Sequence, residues 1–174
     1  MKKIVCLIML LLAVSTGKSY GQSFMDRLHF EATVGSGFKS KNIQPLDVSA
    51  KIGVDIIPSL YAYLAYEGNK SLYEKGDERT YFSGESLGGG VGVKFLNSVK
   101  TPHALDLRVK ALTSIGGADW KRTTYDASLA WYLRSEKKSR IFTPVVEMGY
   151  RYIDSRTKGL DNMGNFYMSF GIRF

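Results

Sequence analysis

The chain has 174 residues, a formal net charge of +8 and a single cysteine, Cys6. This length suits one domain, and a lone cysteine excludes an internal disulfide and a thiolate metal cluster. The basic residues are scattered along the chain, which argues against a function in binding nucleic acid. Composition therefore indicates a small single-domain protein without covalent cross-links.

The first 21 residues have the pattern of a secretory signal. Met1-Lys2-Lys3 is a short basic start, and residues 4–14 are an unbroken apolar run. That run is shorter than the ~20 residues that a spanning helix needs, and the small residues Ser19 and Gly21 suit signal peptidase. We therefore expect a cleaved signal peptide over residues 1–21 and one mature domain over residues 22–174.

The mature domain is predicted to consist of strands. Apolar and polar residues alternate, as in Leu46, Val48 and Ala50 against Asp47 and Ser49, and a period of two is that of a β-strand. Turn signals separate eight such runs. The predicted strands cover residues 27–38, 46–56, 60–67, 85–96, 104–115, 123–133, 141–153 and 165–174.

The connections between these strands alternate in length. The longer ones cover residues 39–45, 68–84, 116–122 and 154–162, and the shorter ones cover 57–59, 97–103 and 134–140. Membrane barrels have longer outer loops and shorter periplasmic turns.

Pro144 lies inside the seventh run and cannot donate to a ladder, so we expect a bulge there or a strand that begins near Val145.

Two kinds of barrel fit this alternation. In a soluble barrel of the lipocalin kind the apolar face lines a cavity for a small apolar ligand, whereas in a transmembrane barrel that face meets lipid. The polar face carries many glycines, among them Gly53, Gly88 and Gly90, and small residues fit the crowded interior of an eight-stranded barrel. We therefore expect an all-β fold, an eight-stranded antiparallel up-and-down transmembrane β-barrel.

The polar face also carries acidic and basic residues in nearly equal numbers. Buried charges have to be paired, so we expect an ion-pair network that plugs the lumen and leaves no wide pore. Its predicted members are Glu31, Asp47, Lys51, Asp55, Lys94, Asp106, Arg108, Lys110, Asp126, Glu147, Arg151 and Arg173.

Aromatic residues of the apolar face lie near the strand ends. Two aromatic girdles about a bilayer apart are typical of membrane barrels, whereas a ligand cavity has no use for two rings. The outer set is Phe38, Tyr66, Tyr125, Tyr152 and Phe166, and the inner set is Phe95, Trp131, Phe142 and Phe174.

The last strand, with Phe170, Ile172 and Phe174 on its apolar face, resembles the final strand of bacterial outer-membrane barrels, which the barrel-assembly machinery reads. Together with the signal peptide, the chain resembles the small OmpA/OmpX-type barrels in their barrel-only form. The resemblance implies a monomer in the outer membrane of a Gram-negative bacterium. It also implies contact with the assembly machinery and with outer-membrane lipids, including lipopolysaccharide.

The sequence offers few catalytic residues. Some small barrels are lipid A or phospholipid enzymes that use a histidine, with a serine and an acidic residue, near the outer leaflet. Here His29 is predicted to face the lumen near the periplasmic end, and His103 falls in a periplasmic turn, so no Ser–His pair is visible. We expect a non-enzymatic protein without cofactor or metal, with the lipid-modifying enzyme as the alternative.

The outer loops are the candidates for surface contact. The 68–84 stretch is the longest and mixes aromatic with charged residues, as recognition surfaces do. We expect support of the envelope or surface interaction through these loops, although no extracellular partner can be named. Basic residues at the outer rim suit lipopolysaccharide phosphates, and these are Lys39, Lys41, Lys121, Arg122, Arg156 and Lys158.

Changing Phe174→Asp should impair assembly, because it removes the aromatic that the machinery is expected to read and places a charge at an interfacial anchor. The measurement is the amount of folded protein in the outer-membrane fraction, with Phe174→Tyr as the control that keeps an aromatic ring. Normal amounts of the Phe174→Asp protein would contradict the predicted assembly signal.

Overall fold

The computed structural model describes residues 27–96, 102–133 and 142–174. The predicted signal peptide and most of the connections predicted at 97–103 and 134–140 lie outside these residues. In the described part, no helix is long and apolar enough to cross a membrane. The strands are β1 (Leu28–Gly37), β2 (Ile43–Ile57), β3 (Leu60–Lys75), β4 (Glu78–Leu96), β5 (His103–Ile115), β6 (Arg122–Leu133), β7 (Thr143–Ser155) and β8 (Met163–Arg173).

These eight strands form a closed barrel in which each strand pairs antiparallel with its neighbour in the chain. β1 closes the barrel against β8 through pairs that run from Glu31↔Arg173 to Gly37↔Tyr167. Two further backbone hydrogen bonds, of 2.8 and 3.3 Å, join Phe30 and Phe174. The predicted all-β, eight-stranded antiparallel up-and-down barrel is confirmed.

The alternation of residue types decides which side chains point into the barrel. In the central part of the barrel, charged side chains such as Glu31, Arg108 and Arg151 point inward and are buried, whereas every strand turns large apolar side chains outward. All nine aromatics of the two predicted girdles are exposed. Eight representative apolar residues, one from each strand, are between 43% and 61% exposed: Phe30, Val48, Leu64, Val91, Leu107, Leu129, Met148 and Phe170.

At one end of the barrel the strands are longer than the sequence predicts. β3 runs to Lys75 and β4 begins at Glu78, so the stretch 68–84 is a β-hairpin and the prediction of a loop there is wrong. The apolar alternation stops near residue 68, but the ladder joins backbone groups and continues without it. We call this end of the barrel the hairpin end. The opposite end, where Pro58-Ser59 joins β2 to β3, is the turn end.

A two-residue turn also replaces most of the loop predicted at 39–45. Ser40 and Ile43 exchange two backbone hydrogen bonds, of 2.8 and 2.9 Å. Between them, Lys41 and Asn42 have φ angles of 46° and 65°, which are typical of a type I′ hairpin turn. β2 therefore begins three residues earlier than predicted.

Pro144 has neither of the effects expected from the sequence. β7 begins at Thr143, and Pro144 lies opposite Ile172 with no shift of register between β7 and β8. Proline is tolerated because it is the second residue of the strand, where a missing ladder hydrogen bond costs little.

Glycines on β4 make room for tyrosines inside the barrel. A Cβ atom on Gly92 would lie 2.2 Å from Cζ of Tyr61, and one on Gly90 would lie 2.7 Å from Cζ of Tyr63. Both tyrosines are buried, and their rings occupy the space that side chains on β4 would need. The β4 residues that face these rings therefore have no side chains, which leaves the lumen wide enough for the tyrosines of β3.

Gly92→Val should destabilise the barrel by about 1–3 kcal/mol, the usual cost of overpacking a core, because the Tyr61 ring cannot move aside. Gly117→Val is the matched control, since nothing lies within 4 Å of a Cβ atom at that loop position. Urea unfolding of both proteins in detergent measures the difference. Equal stability of the two variants would show that the Tyr61 ring has room to move.

Candidate functional site

The interior of the barrel is a network of buried ion pairs. Each of the twelve side chains predicted for the lumen makes at least one ion pair with an opposite charge. Two more, Glu67 and Arg122, join them. The described interior thus holds seven acidic and seven basic side chains in these pairs, which is the balance that buried charges require.

The centre of the lumen is organised around Arg108. Its guanidinium binds both carboxylate oxygens of Glu31, with nitrogen–oxygen distances of 2.8 and 2.7 Å, and one oxygen of Glu147 at 2.9 Å. Lys51 bridges the same two carboxylates, at 2.9 Å from Glu31 and 2.5 Å from Glu147. The hydroxyl of Tyr167 donates to the other Glu147 oxygen at 2.8 Å. Every strand except β3, β4 and β6 contributes one of these five side chains.

A second cluster lies closer to the hairpin end and is organised around Arg151. This guanidinium contacts three carboxylates: Asp126 at 3.0 and 3.1 Å, Glu67 at 3.2 Å, and Asp47. Lys110 lies 3.2 Å from Glu67 and 3.1 Å from Asp126. Strands β2, β3, β5, β6 and β7 are therefore tied together across the lumen at this level.

Two further ion pairs lie near the turn end. Lys94 is 2.5 Å from Asp55, and Arg173 is 3.6 Å from Asp106. Tyr61 links this level to the centre, since its hydroxyl donates to Asp106 at 3.0 Å and accepts from Arg108 Nε at 2.7 Å.

The prediction for Arg122, a lipopolysaccharide contact at the outer rim, is wrong. Its side chain is fully buried, lies 3.4 Å from Asp47 and 3.6 Å from Glu67, and stacks 4.8 Å from the Trp120 ring. The reason is that Arg122 is the first residue of β6 and occupies an inward position. The inward phase of Thr124 and Asp126 is the signal in the sequence that identifies it.

An apolar cluster closes the hairpin end of the lumen, and the sequence analysis misses it. The buried Trp120, from the β5–β6 connection, packs with Ile43, Ile153 and Met163, and its indole nitrogen donates to Ser155 Oγ at 3.0 Å. The three partners occupy inward positions, out of phase with the outward apolar residues. That change of phase is the signal that could have revealed the cluster.

Little space remains between the charged side chains. The internal cavity bounded by Asp47, Lys51, Glu67, Glu147 and Arg151 has a volume of about 10 Å³, about enough for one water molecule. The lumen is therefore filled by its own side chains.

The two histidines lie on different strands. His29 is buried on β1, with its ring 5.0 Å from that of Tyr61 and Nδ1 4.0 Å from Asp55. His103 is the first residue of β5 rather than a turn residue, and its ring lies 5.5 Å from that of Trp131. Among the described residues, no group of three or more His, Cys, Asp or Glu side chains is arranged to hold a metal ion.

Two of the basic residues predicted at the outer rim are engaged by acidic neighbours. Lys39 donates to Glu74 at 2.6 Å, and this hydrogen bond lowers the pKa of the Glu74 carboxyl. Lys41 lies 3.8 Å from Asp161 and donates to the backbone oxygen of Asn162 at 2.7 Å. Their charges are thus largely compensated within the protein.

The other three predicted rim residues, Lys121, Arg156 and Lys158, are exposed. No carboxylate of the described chain lies within 4.0 Å of any of them. Arg156 donates to Thr113 Oγ1 at 2.9 Å, and its backbone nitrogen donates to the oxygen of Lys121 at 2.7 Å. The structure thus brings these two cations together on the wall formed by β5, β6 and β7.

The β3–β4 hairpin has a free backbone edge. Asp119 pairs with Ser83 through its own backbone nitrogen at 3.0 Å and through its carboxylate, which accepts from Ser83 N and Oγ at 3.0 and 2.8 Å. These hydrogen bonds lower the pKa of Asp119, the one from the backbone most of all. Beyond Ser83 no described strand pairs with that edge. Since alternate residues face alternate neighbours, Arg79 and Tyr81 turn their N–H and C=O groups to this free side.

No family model and no curated protein matches this chain. Among solved structures, the chain is similar to the de novo designed protein TMB2.3, determined by solution NMR. The two share 9% sequence identity over 85% of this chain and 94% of the designed one, with a TM-score of 0.39. A likeness at this level has no bearing on function.

Arg108→Ala should cost roughly 3–5 kcal/mol of unfolding free energy, because it leaves Glu31 and Glu147 buried with one cation instead of two. The matched control is Arg79→Ala on the hairpin, whose side chain is 73% exposed and whose loss should change stability little. Urea unfolding of both variants in detergent gives the comparison. Similar midpoints for the two would mean that water reaches the lumen and screens its charges.

Proposed function

We propose that this chain is a non-enzymatic barrel protein of the outer membrane of a Gram-negative bacterium, similar to the OmpA/OmpX-type barrels. In this proposal it spans the membrane as a monomer with a plugged polar lumen. It supports the envelope or binds at the cell surface through its hairpin end. Its other partners would be the barrel-assembly machinery, which reads Phe170, Ile172 and Phe174, and the lipids around it.

The observation that carries the proposal is the outward apolar face of all eight strands. Soluble proteins rarely expose contiguous apolar patches of more than a few hundred Å², and here the apolar belt continues around the whole wall. A bilayer is the solvent that such a surface needs, and a closed barrel leaves no unpaired strand edge within it. A lipocalin-like carrier would need the reverse arrangement, with an apolar interior.

The plugged interior supports a role at the surface rather than in transport. Arg108, Arg151 and their carboxylate partners fill the centre of the lumen, and Trp120 closes it at the hairpin end. Among the described residues, the connections at that end are the ones that we propose for contact.

The β3–β4 hairpin is the contact element that the geometry favours. It projects beyond the other strands, and Tyr81 on its free edge is 59% exposed with the Lys70 ammonium 5.4 Å above its ring. An unpaired edge is a template for an added strand. A partner would then be an extended peptide segment, bound through its backbone and read by the side chains around Tyr81.

The first test of this proposal is location. Expressed from residues 1–174 in a Gram-negative host, the mature protein should sediment with the outer membrane and require detergent for extraction. On gels it should migrate faster before boiling than after, because a closed barrel resists unfolding by the detergent. Mature protein that stays in solution without detergent would overturn the membrane assignment.

The second test concerns the hairpin. Tyr81→Pro removes one N–H from the free edge, where proline is tolerated, and Tyr81→Phe is the control that keeps both the N–H and the ring. On an array of extended peptides, cells that display the wild-type protein should bind spots that Tyr81→Pro cells lose and Tyr81→Phe cells retain.

Detergent sensitivity separates the two surface roles. If a strain without the protein becomes sensitive to detergent, and the Tyr81→Pro protein restores resistance fully while no peptide binds, the barrel supports the envelope without the hairpin edge. A change in lipid A composition that depends on His29 or His103 would instead establish the enzyme.

A further inference from the structure

We propose that the free edge of the β3–β4 hairpin pairs with the same edge of a second copy of this chain, which stands in an apposed membrane. The two β4 strands would pair antiparallel, so that the two hairpins form one continuous sheet. This inference rests on the proposed function, because it names the partner of the hairpin edge and requires the barrel to stand in a membrane.

The free edge is short and has defined limits. On this side of β4, Asp119 already occupies the backbone of Ser83, and residues 76 and 77 form the turn at the hairpin tip. Between these limits, Arg79 and Tyr81 direct their N–H and C=O groups away from β3, and no strand of the described chain pairs with them. Such an edge fits a strand that itself has two free residues.

A second copy of the edge meets this requirement in one register. With Thr80 opposite Thr80 on the two-fold axis, Arg79 of each copy lies opposite Tyr81 of the other. Opposed residues of an antiparallel ladder exchange both hydrogen bonds at every second position, so these two pairs use all the free groups of both copies. An axis at Arg79 would set like charges opposite each other, which is unfavourable. An axis at Tyr81 would bring Arg79 against Ser83, which Asp119 already occupies.

The side chains at the contact fit this register. Arg79 and Tyr81 lie on the outer face of the hairpin, 73% and 59% exposed, so each guanidinium would reach the tyrosine ring of the other copy as a cation–π pair. Thr80 would face Thr80, a cross-strand pair that is favourable in sheets. Glu78 of one copy would approach Asp119 of the other, and this repulsion keeps the contact weak.

Antiparallel pairing places the two barrels on opposite sides of the contact. β3 and β4 stay paired without a register shift from Leu60↔Val93 to Lys75↔Glu78, so the hairpin continues the wall of the barrel. β4 runs from the hairpin tip toward its own barrel, and an antiparallel partner runs away from that barrel. Two copies in one membrane have β4 strands that run in the same sense. The second copy therefore stands in another membrane, and each chain remains a monomer in its own.

The reach of the hairpin sets the distance between the two membranes. Leu87 pairs with the girdle residue Tyr66, and Thr80 lies about 24 Å from Leu87 along the strand. Two girdles joined by the contact would thus be at most about 50 Å apart. Two short strands bury less area than a stable dimer needs. We therefore expect a weak contact that acts through many copies on each membrane.

Disulfide trapping tests the register. The predicted mature chain has no cysteine, since Cys6 lies in the predicted signal peptide. Thr80→Cys therefore places one thiol on each copy, and opposed residues of a non-hydrogen-bonded pair have Cα atoms about 4.5 Å apart, which a disulfide can span. Glu78→Cys is the control, because its two thiols would lie about 14 Å apart along the strands. After oxidation of the purified mature protein in detergent, Thr80→Cys should yield on the order of ten times as much covalent dimer as Glu78→Cys.

Vesicle clustering tests the opposed geometry. Phosphatidylcholine vesicles that carry the wild-type protein should cluster, with gaps of at most about 50 Å between bilayers in electron cryomicroscopy. Tyr81→Pro removes one N–H group of the contact and should abolish clustering, whereas Tyr81→Phe should cluster as the wild type does. When Thr80→Cys proteins with two different tags are placed in separate vesicles, disulfides should join the two tags.

Equal cross-linking of Thr80→Cys and Glu78→Cys, or clustering by the Tyr81→Pro protein, would overturn the self-pairing. Disulfides that join only copies within one vesicle would overturn the opposed arrangement.

These outcomes are distinct from failure of the proposed function. A protein that stays in solution without detergent is not a membrane barrel, whatever it binds. A protein that inserts and migrates faster before boiling, but forms neither cross-links nor clusters, keeps its membrane role and refutes this inference alone, even if its hairpin binds extended peptides.

Discussion

The pairing of buried charges is the constraint on which this structure depends. An isolated ion in a low-dielectric interior is too costly to keep, and an eight-stranded barrel leaves room inside for little except its own side chains. Here each cation at the centre serves more than one carboxylate: Arg108 binds Glu31 and Glu147, and Arg151 binds Asp47, Glu67 and Asp126. Because the partners come from different strands, the network also fixes how the strands are arranged around the axis.

The shape of the lumen follows from that network. Bulky tyrosines and arginines can share a narrow interior only if another strand carries small residues on its inward face. That strand is β4, with Gly88, Gly90 and Gly92. The outward face obeys a different requirement, since it carries apolar side chains in every strand. Because side chains alternate with a period of two, the same strands build both a charged interior and an apolar exterior.

The two ends of the barrel differ in a way that bears on function. At the turn end the paired side chains are less deeply buried, as in the pair of Lys94 and Asp55, whose side chains are 12% and 23% exposed. At the hairpin end an apolar cluster around Trp120 covers the ionic interior, and the strands continue beyond it. At this end the chain thus presents a paired β-hairpin where the sequence predicts a long loop.

The sequence by itself determined the number of strands, their antiparallel order and the face of the side chains in the central part of each strand, because the period of two is a local property of the chain. It also identified twelve of the charged lumen residues. The tertiary structure alone decided where the strands end at the hairpin end, since backbone pairing continues after the apolar pattern stops. It placed Arg122 inside, where Asp47 and Glu67 lie next to it, and it left Lys121 and Arg156 outside without acidic partners. The pairing of each cation with its carboxylates depends on strands that are distant in the chain, so a local sequence pattern cannot predict it.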